Sequence, residues 1–394
     1  MPRPSDQPDL RDLPLLTARE LNRATLARQG LLERGAGPLD EAVEAVGALQ
    51  AQYAPAPPVA LWSRVHGVTL DGYAAALDEH RLVTGLLMRG TIHVVSAREY
   101  WGTAAAVAGT YDGRTAALQR TSPVDLAALG SALLARLGEE PVRHAELGEC
   151  IREWLVRHGH DPDDPDVARL GRWAWRAARA SSAVLYVQRD GAWGRRAPDA
   201  YRDARAVLPP APAAEAEDAR VALVRHHLRA FGPAARDDVA SWMGEPRRLR
   251  VDAALQALDP ELARFRDEAG RVLYDVVDGP RPGGEAAAPV RFLPWFDSLL
   301  LAYAPRYRDR VLPEAHRPAV MPGKNAQLLA TFLVDGTVAG TWELEDRRRQ
   351  ATVVLRPLVR LRQPETRALC EEGERLARFL RPEGRAHAVR VEGA

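Results

Sequence analysis

Leu82-Val83-Thr84-Gly85-Leu86-Leu87-Met88-Arg89-Gly90-Thr91-Ile92-His93-Val94-Val95-Ser96 decides how this chain is read. An apolar run over Leu82–Met88 and a β-rich run over Thr91–Ser96 are separated only by Arg89-Gly90, the spacing of a hairpin with a two-residue turn. Helical patterns precede it. Thr17 with Glu20 three residues on forms a capping box, and Leu21, Ala24, Ala27 and Leu31 follow at helical spacing. A second helix is expected from about Asp40, with Ala42, Val46 and Leu49 on its apolar face, ending at Gln50-Ala51-Gln52. Further helical segments are expected over 59–65 and 71–79. Helices closed by a hairpin are the winged-helix arrangement, a helix-turn-helix variant that commonly serves DNA, although fold does not prove function.

The same order returns twice. Helical patterns over 126–137, 144–157 and 167–180 lead to 183–189, expected to pair with 193–196 across Asp190-Gly191. Helical patterns over 219–230, 234–243 and 247–258 lead to Phe265-Arg266, facing Val272-Leu273-Tyr274. Pro/Gly-rich stretches at 208–214 and 279–284 separate the later units. Beyond about residue 286 the texture is strand-like, with runs at 290–293, 328–334, 337–344 and 352–361, then a helix over about 366–380. The expected fold is α+β: winged-helix units at 15–120, 121–207 and 215–285, then a mainly β, barrel-like domain at 286–394.

Gln50 and Gln52 carry the chemistry that stands out. The prolines that follow, Pro55, Pro57 and Pro58, supply no N–H donors, and Pro55 biases Ala54 away from helical dihedrals, so the backbone around the pair is expected to be extended. Residues two apart in an extended chain point the same way, and each amide offers an acceptor and two donors. The plainer alternative is a surface glutamine beside a helix C-cap.

Composition bounds the rest. The chain has 394 residues, 46% hydrophobic and 27% charged, with a formal net charge of +1, as in a globular protein of several small domains. The total charge does not announce a nucleic-acid binder. Lys324 is the sole lysine, so the basic side is arginine, which suits phosphate but also follows from a GC-rich genome. Cys150 and Cys370 are isolated, which argues against a disulfide scaffold or a cysteine zinc site and for a reducing cytoplasm. No apolar run approaches the roughly 20 residues of a membrane span, and residues 1–6 lack a signal peptide's apolar core. No heptads occur, so a monomer is expected. His158-Gly159-His160 with Asp161, Asp163 and Asp164 reads as a solvated loop rather than a metal site, and His226-His227 face different directions on a helix. No phosphate-binding glycine loop or nucleophile elbow occurs; no cofactor and no metal are expected.

Several stretches resemble the AlkZ/YcaQ family of bacterial DNA glycosylases: Leu21–Gln29, Leu49–Gln52, Leu87–His93, Phe292–Leu301 and Val334–Trp342. The resemblance runs from about Leu15 to Leu361. It implies tandem winged helices and a barrel-like domain forming a concave surface for double-stranded DNA, with a Gln-apolar-Gln catalytic motif matched by Gln50-Ala51-Gln52. It implies a monofunctional glycosylase acting on N7-alkylated purines, with bulky genotoxin adducts of guanine foremost. Arg23, Arg28, Arg89 and His93 become candidate DNA contacts, although helix arginines often only solvate a surface and His93 could equally be structural. Asp297 is a candidate supporting residue. Trp173 and Trp175 read as core or hairpin support rather than a base-stacking platform. The competing classes are a non-catalytic winged-helix regulator and a protein that sequesters a reactive small molecule.

Overall fold

The computed structural model describes residues 10–109, 111–181, 183–210, 215–245, 248–323, 327–347, 349–382 and 386–393. Residues 1–6, linker residues 211–214, Arg247 and Lys324, all read above, lie outside them.

The first helix spans Ala18–Arg28 behind the expected capping box, Thr17 Oγ1 accepting from Glu20 N at 3.2 Å and Glu20 Oε2 from Thr17 N at 2.8 Å. The second, Leu39–Val46, stops four residues short of Gln50. Gly47 and Ala48 both take positive φ, 81° and 74°, and a Cβ at Gly47 would lie 2.8 Å from the Phe231 ring. A glycine C-cap here ends the helix and lets the Ala216–Phe231 helix approach. The glutamine motif is therefore not a helix end. Leu49–Gln50 is a short strand paired with Val94 and His93. The extended backbone expected around the pair is present at Gln50, while the proline run beyond it is helical. Ala56–Arg64 is a helix with Pro57 and Pro58 in its first turn, where a missing N–H costs nothing.

The first hairpin forms as expected, Leu82–Leu86 against Ile92–Ser96, with Arg89 and Gly90 both at positive φ (55° and 61°) and Thr91 N donating to Met88 O at 3.1 Å. The second differs. Val184–Val187 pairs with Ala200–Asp203, not with 193–196. Asp190 Oδ1 accepts from Ala192 N at 3.1 Å, turning the chain locally. Trp193 is buried and donates through Nε1 to Asp78 Oδ1 at 2.7 Å, so this segment packs onto the first unit instead of adding a strand.

The first two hairpins share one sheet. Gly85 pairs with Leu185, joining them with the glutamine strand and Val142–Arg143 into one six-stranded sheet. A Cβ at Gly85 would meet the Tyr100 ring at 2.8 Å. The third hairpin, Leu262–Asp267 with Val272–Val276, takes Leu15–Leu16 as a parallel third strand.

The C-terminal sheet has five strands in chain order: Arg291–Leu293, Thr331–Val334, Thr337–Arg347, Gln350–Pro357 and Ala386–Val391. The last joins in parallel through a crossover helix, Gln363–Leu380. The first and last strands do not pair among the described residues, so the sheet is open rather than a closed barrel. Among the described residues no helix is long and apolar enough to cross a membrane.

Candidate active site

Four segments distant in sequence meet at the glutamine strand. Gln50 is 6% exposed, and its neighbour across the sheet is His93. The strand pairing continues through Ala51, whose N–H donates to Ile92 O at 2.7 Å. Gln52 lies past it and is exposed, with no hydrogen-bond partner among the described residues. Tyr53, 44% exposed, tilts against Trp295 at 4.6 Å between centroids, and Trp295 in turn meets Trp342 at 5.0 Å. An aromatic ledge thus adjoins the second glutamine.

His93 is 1% exposed, and its partners settle its proton. Nδ1 lies 2.9 Å from Thr91 O, a carbonyl that can only accept, so Nδ1 carries the hydrogen. Nε2 is then an acceptor, facing Arg89 Nη2 at 3.3 Å. Burial, reinforced by the Arg89 charge, pushes the imidazole down to about 3, so it is neutral. Arg89 is half-buried on the hairpin turn. Its Nη2 also donates to Gln50 Oε1 at 3.0 Å, and its Nη1 to Trp242 O at 2.5 Å. Burial, with Arg308 nearby, lowers Arg89 to about 10, which leaves it cationic at neutral pH. A Cβ at Gly244 would lie 2.7 Å from Arg89 Cα, so the Arg236–Met243 helix reaches the turn only because its C-cap is glycine.

The result is a chain of neutral acceptors around one cation. Among the described residues Arg89 makes no ion pair, and no carboxylate bonds to either glutamine. Amide oxygens can hold a water and stabilise a developing positive charge, but an amide cannot protonate a leaving group. Among the described residues no group of three or more His, Cys, Asp or Glu side chains is placed to hold a metal. His158, one of the histidines weighed above, is turned onto its own helix, with Nδ1 2.7 Å from Trp154 O.

Other expected contacts lie elsewhere. Arg23 is 1% exposed and spent: Nε donates to Ala286 O at 2.6 Å, Nη1 to Asp335 O at 3.1 Å, and Nη2 pairs with Asp335. It braces the first helix against the Asp335-Gly336 turn and is not free for a phosphate. Arg28 likewise forms a buried pair with Asp275, at 2.6 and 2.8 Å. Asp297 is buried and receives Arg64 at 2.8 and 3.0 Å. Ser298 Oγ donates to Ala48 O at 2.9 Å, and Gln29, which accepts from Arg64 at 3.2 Å, donates to Val46 O at 3.0 Å. Asp297 therefore secures the bend that leads into the glutamine strand and does not touch the glutamines.

The sequence reading missed a cluster beside the turn. Arg176 donates to Tyr111 Oη at 3.0 Å, Tyr111 packs edge-on to Trp173, and Arg114 lies 4.5 Å over the Trp173 ring. Arg114 is exposed and has no ion pair among the described residues. The signal was present: Tyr111 with Arg114, and Trp173 with Arg176, are each spaced to share a helix face.

The family description "DNA glycosylase AlkZ-like" matches residues 43–379 of the chain. The fold is similar to that of the Streptomyces sahachiroi DNA glycosylase AlkZ, with a TM-score of 0.76 at 18% identity, over 95% of this chain and 99% of that one. No curated protein sequence matches the chain.

Proposed function

This chain belongs to the AlkZ-like DNA glycosylases, and from that premise we propose that it removes N7-alkylated purines, foremost guanine carrying a bulky genotoxin adduct, with Gln50 and Gln52 as its catalytic residues. The observation that supports this reading is the lack of any acid or carboxylate bonded to the glutamine pair among the described residues. Ordinary glycoside hydrolysis uses one carboxyl group to protonate the leaving group and another to activate water or attack the sugar. A purine alkylated at N7 needs no such proton. Its ring already carries a positive charge, and the electron pair of the breaking C1′–N9 bond neutralises it as the base departs. The oxocarbenium left on the sugar then takes a water oxygen at C1′, and the water's proton passes to solvent. Positioned amide oxygens suffice to hold that water and to stabilise the sugar cation. The product is an abasic site.

In this reading the enzyme is a cytoplasmic monomer acting on the nucleoid, in base excision repair or in self-resistance to a genotoxin. The winged units at 15–120, 121–207 and 215–285 and the β domain at 286–394 form the DNA-binding scaffold. The adduct is approached within the duplex rather than flipped into a deep pocket. Single-turnover release of a bulky N7-guanine adduct and of 7-methylguanine, measured beside uracil and unmodified purine in matched duplexes, tests it. Only the cationic bases should be released, and Gln50→Ala or Gln52→Ala should slow release by about 10²–10³-fold. Release of uracil or unmodified purine with none from the cationic adducts, or wild-type rates in both single mutants and the double mutant, would overturn it. Tight binding to one undamaged operator-like sequence without excision would favour a regulator.

A further inference from the structure

We infer that Arg89 is a positioning residue for the reaction: together with neutral His93 it fixes the amide of Gln50, and it does not serve as a phosphate contact. The inference rests on the catalytic reading of the glutamine pair and deepens it.

Geometry carries the argument. A hairpin-tip arginine free to meet phosphate would present a fork of unengaged N–H groups. Arg89 has both hydrogens of Nη2 committed, one to Gln50 Oε1 at 3.0 Å and one to His93 Nε2 at 3.3 Å, while Nη1 donates to Trp242 O at 2.5 Å. His93 can accept only because Thr91 O holds the hydrogen on Nδ1. A protonated imidazole would repel the guanidinium and offer it no lone pair. Each bond therefore determines the next: Thr91 O sets the His93 tautomer, His93 sets the guanidinium plane, and the guanidinium sets which end of the Gln50 amide faces inward. With Oε1 turned to Arg89, one oxygen lone pair and the Nε2 group remain for water and sugar. Gln52 has no such tether.

The backbone supports the same reading. Arg89 sits at φ 55°, a left-handed conformation that favours glycine or asparagine in a two-residue hairpin turn. A turn that served only to reverse the chain would gain nothing from arginine there. The bond to Trp242 O, in the last turn of the Arg236–Met243 helix, supplies a competing structural role, since carbonyls at a helix end lack intrahelical partners. The experiment has to separate the two.

Arg89→Met is compared in three backgrounds, wild type, Gln50→Ala and Gln52→Ala, by single-turnover excision of 7-methylguanine across an enzyme titration. In the wild-type background the maximal rate constant should fall about 10- to 100-fold with the half-saturating concentration nearly unchanged, because misplacement of a catalytic group acts on the chemical step. The loss should persist with Gln52→Ala and vanish with Gln50→Ala, since the guanidinium acts through Gln50. Arg89→Lys, which keeps the charge and one donor nitrogen in place of the planar fork, should restore part of the rate. A second readout is independent of activity. In side-chain amide NMR, the Gln50 NH2 pair should be shifted from that of exposed Gln52, and Arg89→Met should move it toward the Gln52 position. Should Arg89→Met not fold, His93→Leu in the same three backgrounds and in the same spectra reads the same relay. Additive losses in both glutamine backgrounds, a raised half-saturating concentration at an unchanged maximal rate, or an unmoved Gln50 amide would overturn the inference while leaving the catalytic glutamines standing. Wild-type excision by Gln50→Ala would overturn both.

Discussion

Two arginine clusters adjoin the glutamine strand, and they are built to opposite rules. In the first, Arg64 meets Asp297 through two hydrogen bonds, Arg64 also donating to Gln29 and Asp297 also accepting from the Leu299 N–H. A cation faces an anion, both buried. In the second, Arg89 faces a carbonyl, a neutral imidazole and an amide, and among the described residues no carboxylate answers its charge. A buried ion pair held by several hydrogen bonds acts as a strut, and removing one partner leaves an uncompensated charge. An arginine among neutral acceptors orients its neighbours but keeps its field, which suits a site that receives polyanionic DNA. The Asp297 cluster braces the segment before the strand, and in the proposed reading the Arg89 cluster arranges its chemistry.

The contrast is broken most severely at the Arg64–Asp297 cluster. Asp297→Ala leaves the Arg64 guanidinium buried without its anion and should cost about 3–5 kcal/mol of stability. Denaturant melts should show a large fall in midpoint, and excision should fall only as the folded fraction falls. An Asp297→Ala protein of normal stability but no activity would place Asp297 in the chemistry and erase the distinction.

Acid sharpens the comparison more gently. His93 and the buried His227 both have ordinary values near 6.5 and are pushed down to about 3 in the fold, chiefly by burial. Their folded values are depressed, so the unfolded chain takes up protons that the native state refuses, and stability falls as pH drops below about 6.5 toward 3. Melting temperature should decline over that window, with a smaller slope in His227→Leu. The single-turnover rate of the folded fraction should stay flat between about pH 5 and 8, because His93 remains neutral throughout. A rate that titrates with a midpoint near 6.5 would show that His93 is not the neutral acceptor of this relay.

The smallest effect is expected at the rim. Arg114→Ala removes an exposed guanidinium from its place over Trp173. If that cation meets a phosphate, affinity should weaken alike for all duplexes and the salt slope should shrink by about 0.9. An unchanged slope would assign Arg114 to packing on Trp173 alone.

Local signals carried much of the fold. The capping box at Thr17, the first hairpin around Arg89-Gly90 and the third around Gly270 are set by residues close in sequence, and they form where expected. The second hairpin did not follow its Asp190-Gly191 turn signal, because Trp193 gained a buried place and a partner, Asp78, in another unit. No local pattern could report that competition. The final strand, Ala386–Val391, also escaped notice, because its parallel partner lies across a whole helix.

The site divides in the same way. The sequence by itself determined that two glutamines flank Ala51 ahead of a proline run, and that an arginine and a histidine sit on the next hairpin. It could not determine which arginines were free. Arg23, Arg28 and Arg89 look alike along the chain, and burial with partners more than two hundred residues away consumes the first two. Only the tertiary structure decided that Arg89 meets Gln50, Trp242 and His93 at once, since a side chain's hydrogen bonds depend on which distant backbone and side-chain groups packing brings within about 3 Å of it.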